Sequence, residues 1–309
     1  MISCSPFQKN SASHSPPSYS RFGFTIIELL VAAAITVVLA GLMLALVGNV
    51  LNGWNQSHGA LTAEAQARLV LDRLSQDLQG AFYRDDGGVW LAATVESSLD
   101  GGGKPAAGSL DLATPALADA RYGAGGVWLR FFTTQLGGSP AAAEGVGYKI
   151  VYRGVSASAA AEKHYQLCRA EVLPADTLAA GYAIDGTGYS LLGAPGYPQL
   201  IADNVIDFGV RFYVRDATTG VLTLVFPANA SGQPDNGDLE HLVKSPPSSG
   251  NLSDRFPDVA DVMLRVLTDE GARQIQALEN NQISGDWWAI ATAHSKVFTR
   301  RVVLHASPL

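Results

Sequence analysis

The sequence predicts an α+β protein in which a long N-terminal helix packs on an antiparallel, β-rich globular domain. Three observations favour this fold. An apolar run from Phe24 to Val47 has membrane-spanning length, and the stretch from Leu61 to Phe82 has the apolar spacing of a surface helix. Beyond residue 84 the chain changes to short alternating segments separated by Gly, Pro, Asn and Asp.

Residues 1–23 are rich in Ser and Pro and carry Lys9 and Arg21 but no acidic residue. We expect them to be a leader that is removed, not part of the fold. Basic residues before the apolar run, with no positive excess directly after it, predict a cytoplasmic N-terminus and an exported C-terminal domain. A conventional signal peptide is the alternative, but no clear A-x-A cleavage site ends the run.

Residues 24–48 are predicted to form a single transmembrane helix. From Phe24 to Val47 such a helix would measure roughly 36 Å, enough for a hydrocarbon core of about 30 Å. Gly41 and Ala45 are spaced to let another helix approach closely. Glycines at 41, 48 and 53 are expected to weaken the helix.

Glu28 is the single charged residue of this run. A carboxylate at membrane depth costs roughly 2.5–3.5 kcal/mol on insertion scales, so it requires a partner, and the run supplies no cation. Cleavage after Gly23 would create an α-ammonium on Phe24, four residues before Glu28, and residues four apart share a helix face. The two charges would meet within one chain or between neighbouring chains.

The motif Gly23-Phe24-Thr25-Ile26-Ile27-Glu28, followed directly by the apolar run, closely resembles the N-terminal processing motif of type IV pilins and type II secretion pseudopilins. The resemblance implies that a prepilin peptidase cuts between Gly23 and Phe24 and methylates the new amine. It further implies that Glu28 is the assembly carboxylate, that other pilin or pseudopilin subunits are partners, and that the chain resides in the inner membrane before assembly. An ordinary anchor with an isolated Glu is the alternative, but it does not account for Gly before Phe-Thr or for the basic leader.

Residues 49–84 are predicted to continue the helix in amphipathic form. Glu64 with Arg68, and Arg73 with Asp77, are i,i+4 pairs that we expect on its polar side. A nearly continuous helix through residue 82 would be roughly 85–90 Å long. The apolar face is expected to hold residues at helical spacing: Leu61, Ala65, Leu69, Leu71, Leu74, Leu78 and Phe82.

Residues 85–309 are predicted to form the β-rich domain. The clearest strand is Asn204–Val214, where apolar residues alternate with a polar face that includes Asp207 and Arg211. Pro227–Phe256 reads as a long polar surface loop, and Asp269–Asn280 as a helix capped by Thr268. The other predicted strands are Val127–Thr133, Val146–Arg153, Tyr165–Val172, Val221–Phe226, Val259–Leu267 and Lys296–Leu304.

This order of elements looks like the pilin fold. Segments resembling Leu69–Arg84, Val146–Arg153, Leu200–Tyr213 and Phe256–Leu267 are typical of J-type minor pseudopilins, and the pattern also resembles W-type minor pilins and the C member of the Verru/Chthon cassette. The sequence does not distinguish between these three groups of proteins. The resemblance implies a minor subunit near the tip of a fibre, since the domain is large for a repeating subunit.

Formal net charge is −7, and the leader holds no acid, so the remaining chain is more acidic than the whole. An acidic body argues against a nucleic-acid partner. No G-x-S-x-G or H-E-x-x-H pattern is present, and we predict no enzyme. Lys104 follows three glycines, but Ser98 and Pro105 break a phosphate-binding pattern, so a flexible loop is expected there.

Two cysteines are present, and Cys4 lies in the leader. Cys168 is expected to be a buried strand residue; intermolecular pairing or a reactive thiol is the alternative. His164 lies four residues away, with no third catalytic partner evident.

Asp235, Asp238 and Glu240 form the best oxygen cluster for calcium, but we expect an acidic solvated loop without a metal ion, and calcium binding is the alternative. Trp287 and Trp288 are expected to anchor the core or an interface, with an exposed binding platform as the alternative. The competing function is a membrane-anchored exported domain that binds a ligand or acts as an enzyme, with the helix as a tether.

Overall fold

A computed structural model describes residues 25–105, 108–134, 143–154, 162–193, 199–245 and 252–306, with side chains undescribed at 52, 55–57 and 253. The chain divides into two units, Met1–Gly53 and Trp54–Leu309. The fold is α+β, as predicted: an N-terminal apolar helix is followed by a domain of antiparallel sheets with further helices.

Helix α1 is assigned from Ile26 to Gln79. In the first unit, Ile26–Leu51 is long and apolar enough to cross a membrane, and none of its most apolar stretch is buried. Gly41, Gly48 and Gly53 do not interrupt the helix, contrary to the expected weakening. Their Cβ positions meet no atom within 4 Å, so no packing contact requires glycine at these positions in the isolated chain.

In the second unit, α1 buries a stripe at helical spacing against the domain core. Leu61 and Leu69 do not belong to it, since they are 66% and 56% exposed. That part of the expected apolar face is therefore wrong, because the sheet contacts select the opposite side of the helix. The buried stripe consists of Ala63, Ala67, Val70, Leu71, Leu74 and Leu78, whose spacing of three and four residues defines one helix face.

The larger sheet has six antiparallel strands in the order β10-β1-β4-β5-β6-β7. Its inner face packs on the α1 stripe in the main core. Its outer face carries a second cluster, in which Phe132 contacts both Trp90 and Tyr189, the latter from the segment after β6. The strands are β1 Val89–Val95, β4 Val127–Thr133, β5 Glu144–Gly154, β6 Lys163–Val172, β7 Gln199–Asp203 and β10 Glu240–Lys244.

The smaller sheet has four antiparallel strands in the order β12-β11-β8-β9, and β2 and β3 form a separate two-stranded hairpin. Its strands are β8 Val205–Arg215, β9 Leu222–Phe226, β11 Val259–Leu267 and β12 Ser295–Val303. The hairpin is β2 Leu110–Asp111 and β3 Arg121–Tyr122. The remaining helices are α2 Pro174–Ala180, α3 Asp269–Glu279 and α4 Trp287–Ala293.

All seven predicted strands are present, with bounds that differ by two residues or fewer. Thr268 caps α3, since its hydroxyl accepts the Gly271 N–H at 3.2 Å. The predicted loop Pro227–Phe256 is wrong in part, because β10 lies within it and pairs with β1. Only five residues long and polar at both ends, this edge strand has too little alternation to stand out in the sequence.

The polar face of β8 is buried, not exposed. Asp207 is fully buried and accepts the Tyr122 N–H at 3.3 Å on both carboxylate oxygens, and Arg211 donates to the Thr114 carbonyl at 2.6 Å. The segment that contains the β2–β3 hairpin therefore covers this face. Gly209 makes room for it, because a Cβ there would stand 2.1 Å from the Tyr122 ring.

Asp77 also departs from the expected polar side of α1. It does lie 3.7 Å from Arg73, as the spacing predicts, but it is only 7% exposed. Its Oδ2 accepts from Arg169 Nε at 2.7 Å and from the Tyr148 hydroxyl at 2.5 Å. Arg169 contacts Glu144 and Glu171 as well, so the helix meets the six-stranded sheet through a buried charged network.

Candidate functional site

The predicted processing residues Gly23 and Phe24 lie outside the described residues, which begin at Thr25. Glu28 sits in the first turn of α1, and its carboxylate contacts Thr25. Oε2 accepts the Thr25 N–H and the Thr25 hydroxyl, each at 3.0 Å, and the Glu28 N–H donates to Thr25 Oγ1 at 3.3 Å. Each residue thus satisfies a backbone donor of the other, which is the reciprocal arrangement of a capping box.

The capping box gives Glu28 a hydrogen-bond partner in Thr25, in addition to the cation that the sequence predicts. The T-x-x-E spacing was a readable signal in the sequence, and a carboxylate at a helix N-terminus is also favoured by the helix dipole. Oε1 accepts no hydrogen bond from the described residues. Oε2 therefore stabilises the first turn of α1, and Oε1 can accept a hydrogen bond from another donor.

The helix surface around Glu28 is apolar and exposed throughout the candidate span. Thr36, a polar residue within it, donates its hydroxyl to the Ala32 carbonyl at 2.6 Å, so its polar group is satisfied inside the helix. An exposed apolar surface of this length requires lipid or other apolar helices around it. The span is compatible with single-pass membrane anchoring.

A second exposed apolar stripe lies on the part of α1 that belongs to the second unit. Trp54, Leu61, Ala65 and Leu69 are exposed, and the last three follow one another at intervals of four residues. Their side of the helix is opposite to the stripe buried in the domain core. The amphipathic segment therefore presents an apolar surface to its surroundings as well as to its own domain.

The acidic loop before β10 uses its side chains to hold its own backbone. Asp238 accepts the Ala228 N–H at 2.9 Å, and Asp235 accepts the Gly237 N–H at 3.3 Å. Asn236 accepts the Leu112 N–H at 2.6 Å and thereby ties the loop to the end of β2. Among the described residues no group of three or more His, Cys, Asp or Glu side chains is placed to hold a metal ion, so the geometry gives calcium binding by Asp235, Asp238 and Glu240 no support.

Lys104 is buried, which corrects the expectation of a flexible loop. Its Nζ donates to the Ile206 carbonyl at 2.5 Å and lies 5.0 Å from the centre of the Trp288 ring. Burial lowers the pKa of this lysine to about 8, against the opposing effect of Asp207. Lys104 therefore fastens the glycine-rich loop to β8 and binds no phosphate-sized ligand in this arrangement.

Cys168 is 2% exposed in the middle of β6, as predicted, and burial raises the pKa of its thiol to about 11. A thiol in this state is a poor nucleophile. His164 is held elsewhere, because its Nδ1 lies 3.0 Å from Asp203 Oδ2. The two residues therefore do not form a catalytic pair.

Trp287 and Trp288 are core anchors, as predicted, since they are only 5% and 6% exposed at the start of α4. Trp287 Nε1 donates to Glu279 at 3.0 Å, and Glu279 also accepts from the hydroxyls of Tyr152 and Tyr165. This carboxylate, which sequence reasoning missed, joins α3, α4 and the six-stranded sheet. A cleft of about 190 Å³ lies beside it, between α3 and the start of β6.

No family model, curated protein or solved structure matches this chain.

Proposed function

We propose that this protein is a minor pilin-like or pseudopilin-like structural subunit. A prepilin peptidase would cleave it after Gly23, and the mature chain would assemble through its N-terminal helix into a type II secretion pseudopilus or a type IV pilus-like fibre, near the tip. One observation carries the proposal: a carboxylate stands in the first turn of an exposed apolar helix, five residues after a glycine that ends a basic, acid-free leader.

The apolar surface of α1 supports assembly as the role of the helix. Before assembly the span would lie in the inner membrane with its N-terminus in the cytoplasm. Removal from lipid leaves that surface without a partner, and neighbouring helices of the same kind would cover it. The exposed stripe from Trp54 to Leu69 would extend the same contact beyond the membrane.

The capping box refines the proposed role of Glu28. Cleavage would place the new ammonium on Phe24, directly before Thr25, whose N–H and hydroxyl already bind Glu28 Oε2. Oε1 would then accept the ammonium of the same chain or of a neighbouring subunit. A buried pair of this type contributes more to register between subunits than to net stability.

Two variants separate the charge of Glu28 from its capping role, and a third tests cleavage. Glu28→Gln keeps a capping-box acceptor and removes the charge, so we expect normal cleavage and loss of incorporation into fibres. Thr25→Ala removes the cap and keeps the carboxylate, so incorporation should be retained. Replacement of Gly23 by Leu should block cleavage.

Mass spectrometry of the protein from its native membrane measures cleavage, and fractionation of sheared fibres measures incorporation. A mature chain that begins at methylated Phe24 is the expected result. Retention of the original methionine in assembled material, or normal incorporation of Glu28→Gln, would contradict the proposal and favour the tethered-domain alternative.

A further inference from the structure

A cleft of about 740 Å³ lies between the edge strands of the two sheets. β10 is the outermost strand of the six-stranded sheet, and β9 is the outermost strand of the four-stranded sheet. The loop that joins these two strands and the helical turn Leu252–Asp254 complete the walls. A concave space of this size falls within the range of small-molecule sites, which is roughly 300–1,000 Å³.

The walls of this cleft combine acidic and apolar side chains. Leu224 and Val225 on β9 supply buried aliphatic surface. No Lys or Arg lines the cleft among the residues that the structure describes, whereas four carboxylates do so. These carboxylates belong to Asp235, Asp238, Glu240 and Asp254. The cleft therefore attracts positive charge and also offers a surface on which the methylene groups of a ligand can lie.

The acids of the cleft are not neutralised by neighbouring cations. Asp235, Asp238 and Glu240 form no ion pair with any residue that the structure describes. Burial, together with the neighbouring Asp235, raises the pKa of the Asp238 carboxyl against the opposing hydrogen bond from the Ala228 N–H. The described carboxylates are not placed to share one metal ion. Separate positive charges carried by one molecule would match this arrangement better.

His241 points to a ligand independently of the acids. It is only 4% exposed and lines the cleft, and its Nε2 has no hydrogen-bond partner among the described residues. Its ring packs on Phe212 and Phe226, with ring centres 5.6 and 5.4 Å away, so these neighbours provide no partner. A buried polar atom without a partner is destabilising, and a ligand N–H would satisfy it.

We propose that this acidic cleft binds a linear polyamine, with one amino group hydrogen-bonded to His241 and the others paired with Asp235, Asp238 and Glu240. The neutral imidazole accepts a hydrogen bond through Nε2 when Nδ1 carries the proton. Each carboxylate neutralises a separate ammonium, and the methylene segments between the amines lie on the aliphatic wall. The proposal does not depend on the assembly function, because no residue of α1 lines the cleft.

Isothermal titration calorimetry of the full chain in detergent tests this proposal, with spermidine as the probe. The parent protein should bind spermidine saturably. Asp235→Asn with Glu240→Gln keeps the shape of both side chains and should weaken binding by about tenfold or more. The matched control, Asp176→Asn with Glu162→Gln, removes the same charge from exposed positions outside this cleft, so its affinity should stay within about twofold of the parent's.

His241→Phe tests the contribution of the buried nitrogen. Phenylalanine keeps an aromatic ring against Phe212 and Phe226 but removes the acceptor, so spermidine binding should weaken about tenfold. Unchanged affinity in a variant that melts cooperatively would overturn the role of this nitrogen. If His241→Phe does not melt cooperatively, the comparison of the cleft variant with its matched control decides.

Three results would overturn the proposal as a whole. The first is no binding of spermidine by the parent protein. The second is equal weakening in the cleft variant and the control, because binding would then follow net charge alone. The third is calcium that binds in the cleft and excludes spermidine at equal ionic strength, which would assign the cleft to a metal ion.

Discussion

At the scale of single residues, the sequence predicts contacts between charged neighbours on a helix but does not predict which charged side chains are buried. The spacing of Arg73 and Asp77 predicted their contact, and the structure has it at 3.7 Å. The burial of Asp77 was not predictable, because its main partner, Arg169, lies 92 residues later in the chain. Local spacing reports i,i+4 neighbours, whereas a partner across the core becomes visible only when the strands are paired.

The two arginines that contact Asp77 provide a matched pair of substitutions. Arg169→Ala should lower the free energy of unfolding by about 3–5 kcal/mol, because it leaves Asp77 buried without its partner. Arg73→Ala removes a half-exposed contact to the same carboxylate and should cost under about 1 kcal/mol. Denaturant titration of both variants measures the difference, and equal losses would show that burial of Asp77 is not the controlling factor.

His241 should make the domain sensitive to mild acid. It is buried against the rings of Phe212 and Phe226, and burial lowers the pKa of its imidazole to about 4 from an ordinary 6.5. Because the unfolded chain binds the proton more tightly, stability should fall as pH decreases from about 6.5 to 4, by at most roughly 3 kcal/mol from this group.

His241→Leu provides the comparison for this pH dependence. The difference in unfolding free energy between the two proteins, measured by denaturant titration at several pH values, isolates the histidine from the other titrating groups. If the unfolding free energies of the two proteins change in parallel between about pH 4 and 6.5, the role assigned to His241 is contradicted.

At the scale of elements, periodicity identified strands with a regular pattern and overlooked those without one. β11 was predicted with its observed bounds because its apolar residues alternate. β1 was missed, since its sequence Val-Trp-Leu-Ala-Ala-Thr-Val is apolar on both faces and lies in the interior of a sheet covered on both sides. β8 was placed to within one residue at each end, but the burial of its polar face was not predicted, because the sequence gives no sign of the segment that covers it.

Gly209, the single glycine of β8, should be sensitive to substitution by alanine. A Cβ at this position would lie 2.1 Å from the Tyr122 ring, and Tyr122 is held by a hydrogen bond from its hydroxyl to the Val210 carbonyl at 3.1 Å. Gly209→Ala should therefore cost about 1–3 kcal/mol through overpacking.

Gly237→Ala is the control for that substitution, since its Cβ would make an ordinary contact at 3.5 Å with Asp235 on the surface. It should change stability by less than about 0.5 kcal/mol. Thermal melting of the two alanine variants compares them directly. If Gly209→Ala melts at the same temperature as the parent protein, the β2–β3 hairpin can move aside without loss of stability.

At the scale of the whole molecule, the core begins well inside the chain. No described residue before Ala63 belongs to either hydrophobic cluster. The apolar span was readable from the sequence because its signal is local. Processing at Gly23 is still a prediction. The assembly role of Glu28 remains a prediction, since it concerns contacts with other chains.

Truncation tests this division of the chain. A protein of residues 54–309 should be soluble without detergent and melt cooperatively, because it retains the buried stripe of α1. A protein that starts at residue 81 should not fold, because the loss of Leu71, Leu74 and Leu78 exposes the inner face of the six-stranded sheet. Circular dichroism and melting curves distinguish the two, and cooperative melting of the shorter protein would show that the helix is dispensable for the fold.

The buried thiol of Cys168 can serve as a chemical probe of how often the domain opens. It lies in β6 and is only 2% exposed, so an alkylating reagent reaches the sulfur only when the packing over this strand opens. In a chain with Cys4 replaced by Ser, the rate of alkylation therefore measures how often this part of the domain opens. The same thiol would report in intact cells whether mechanical load on the protein reaches the interior of the domain.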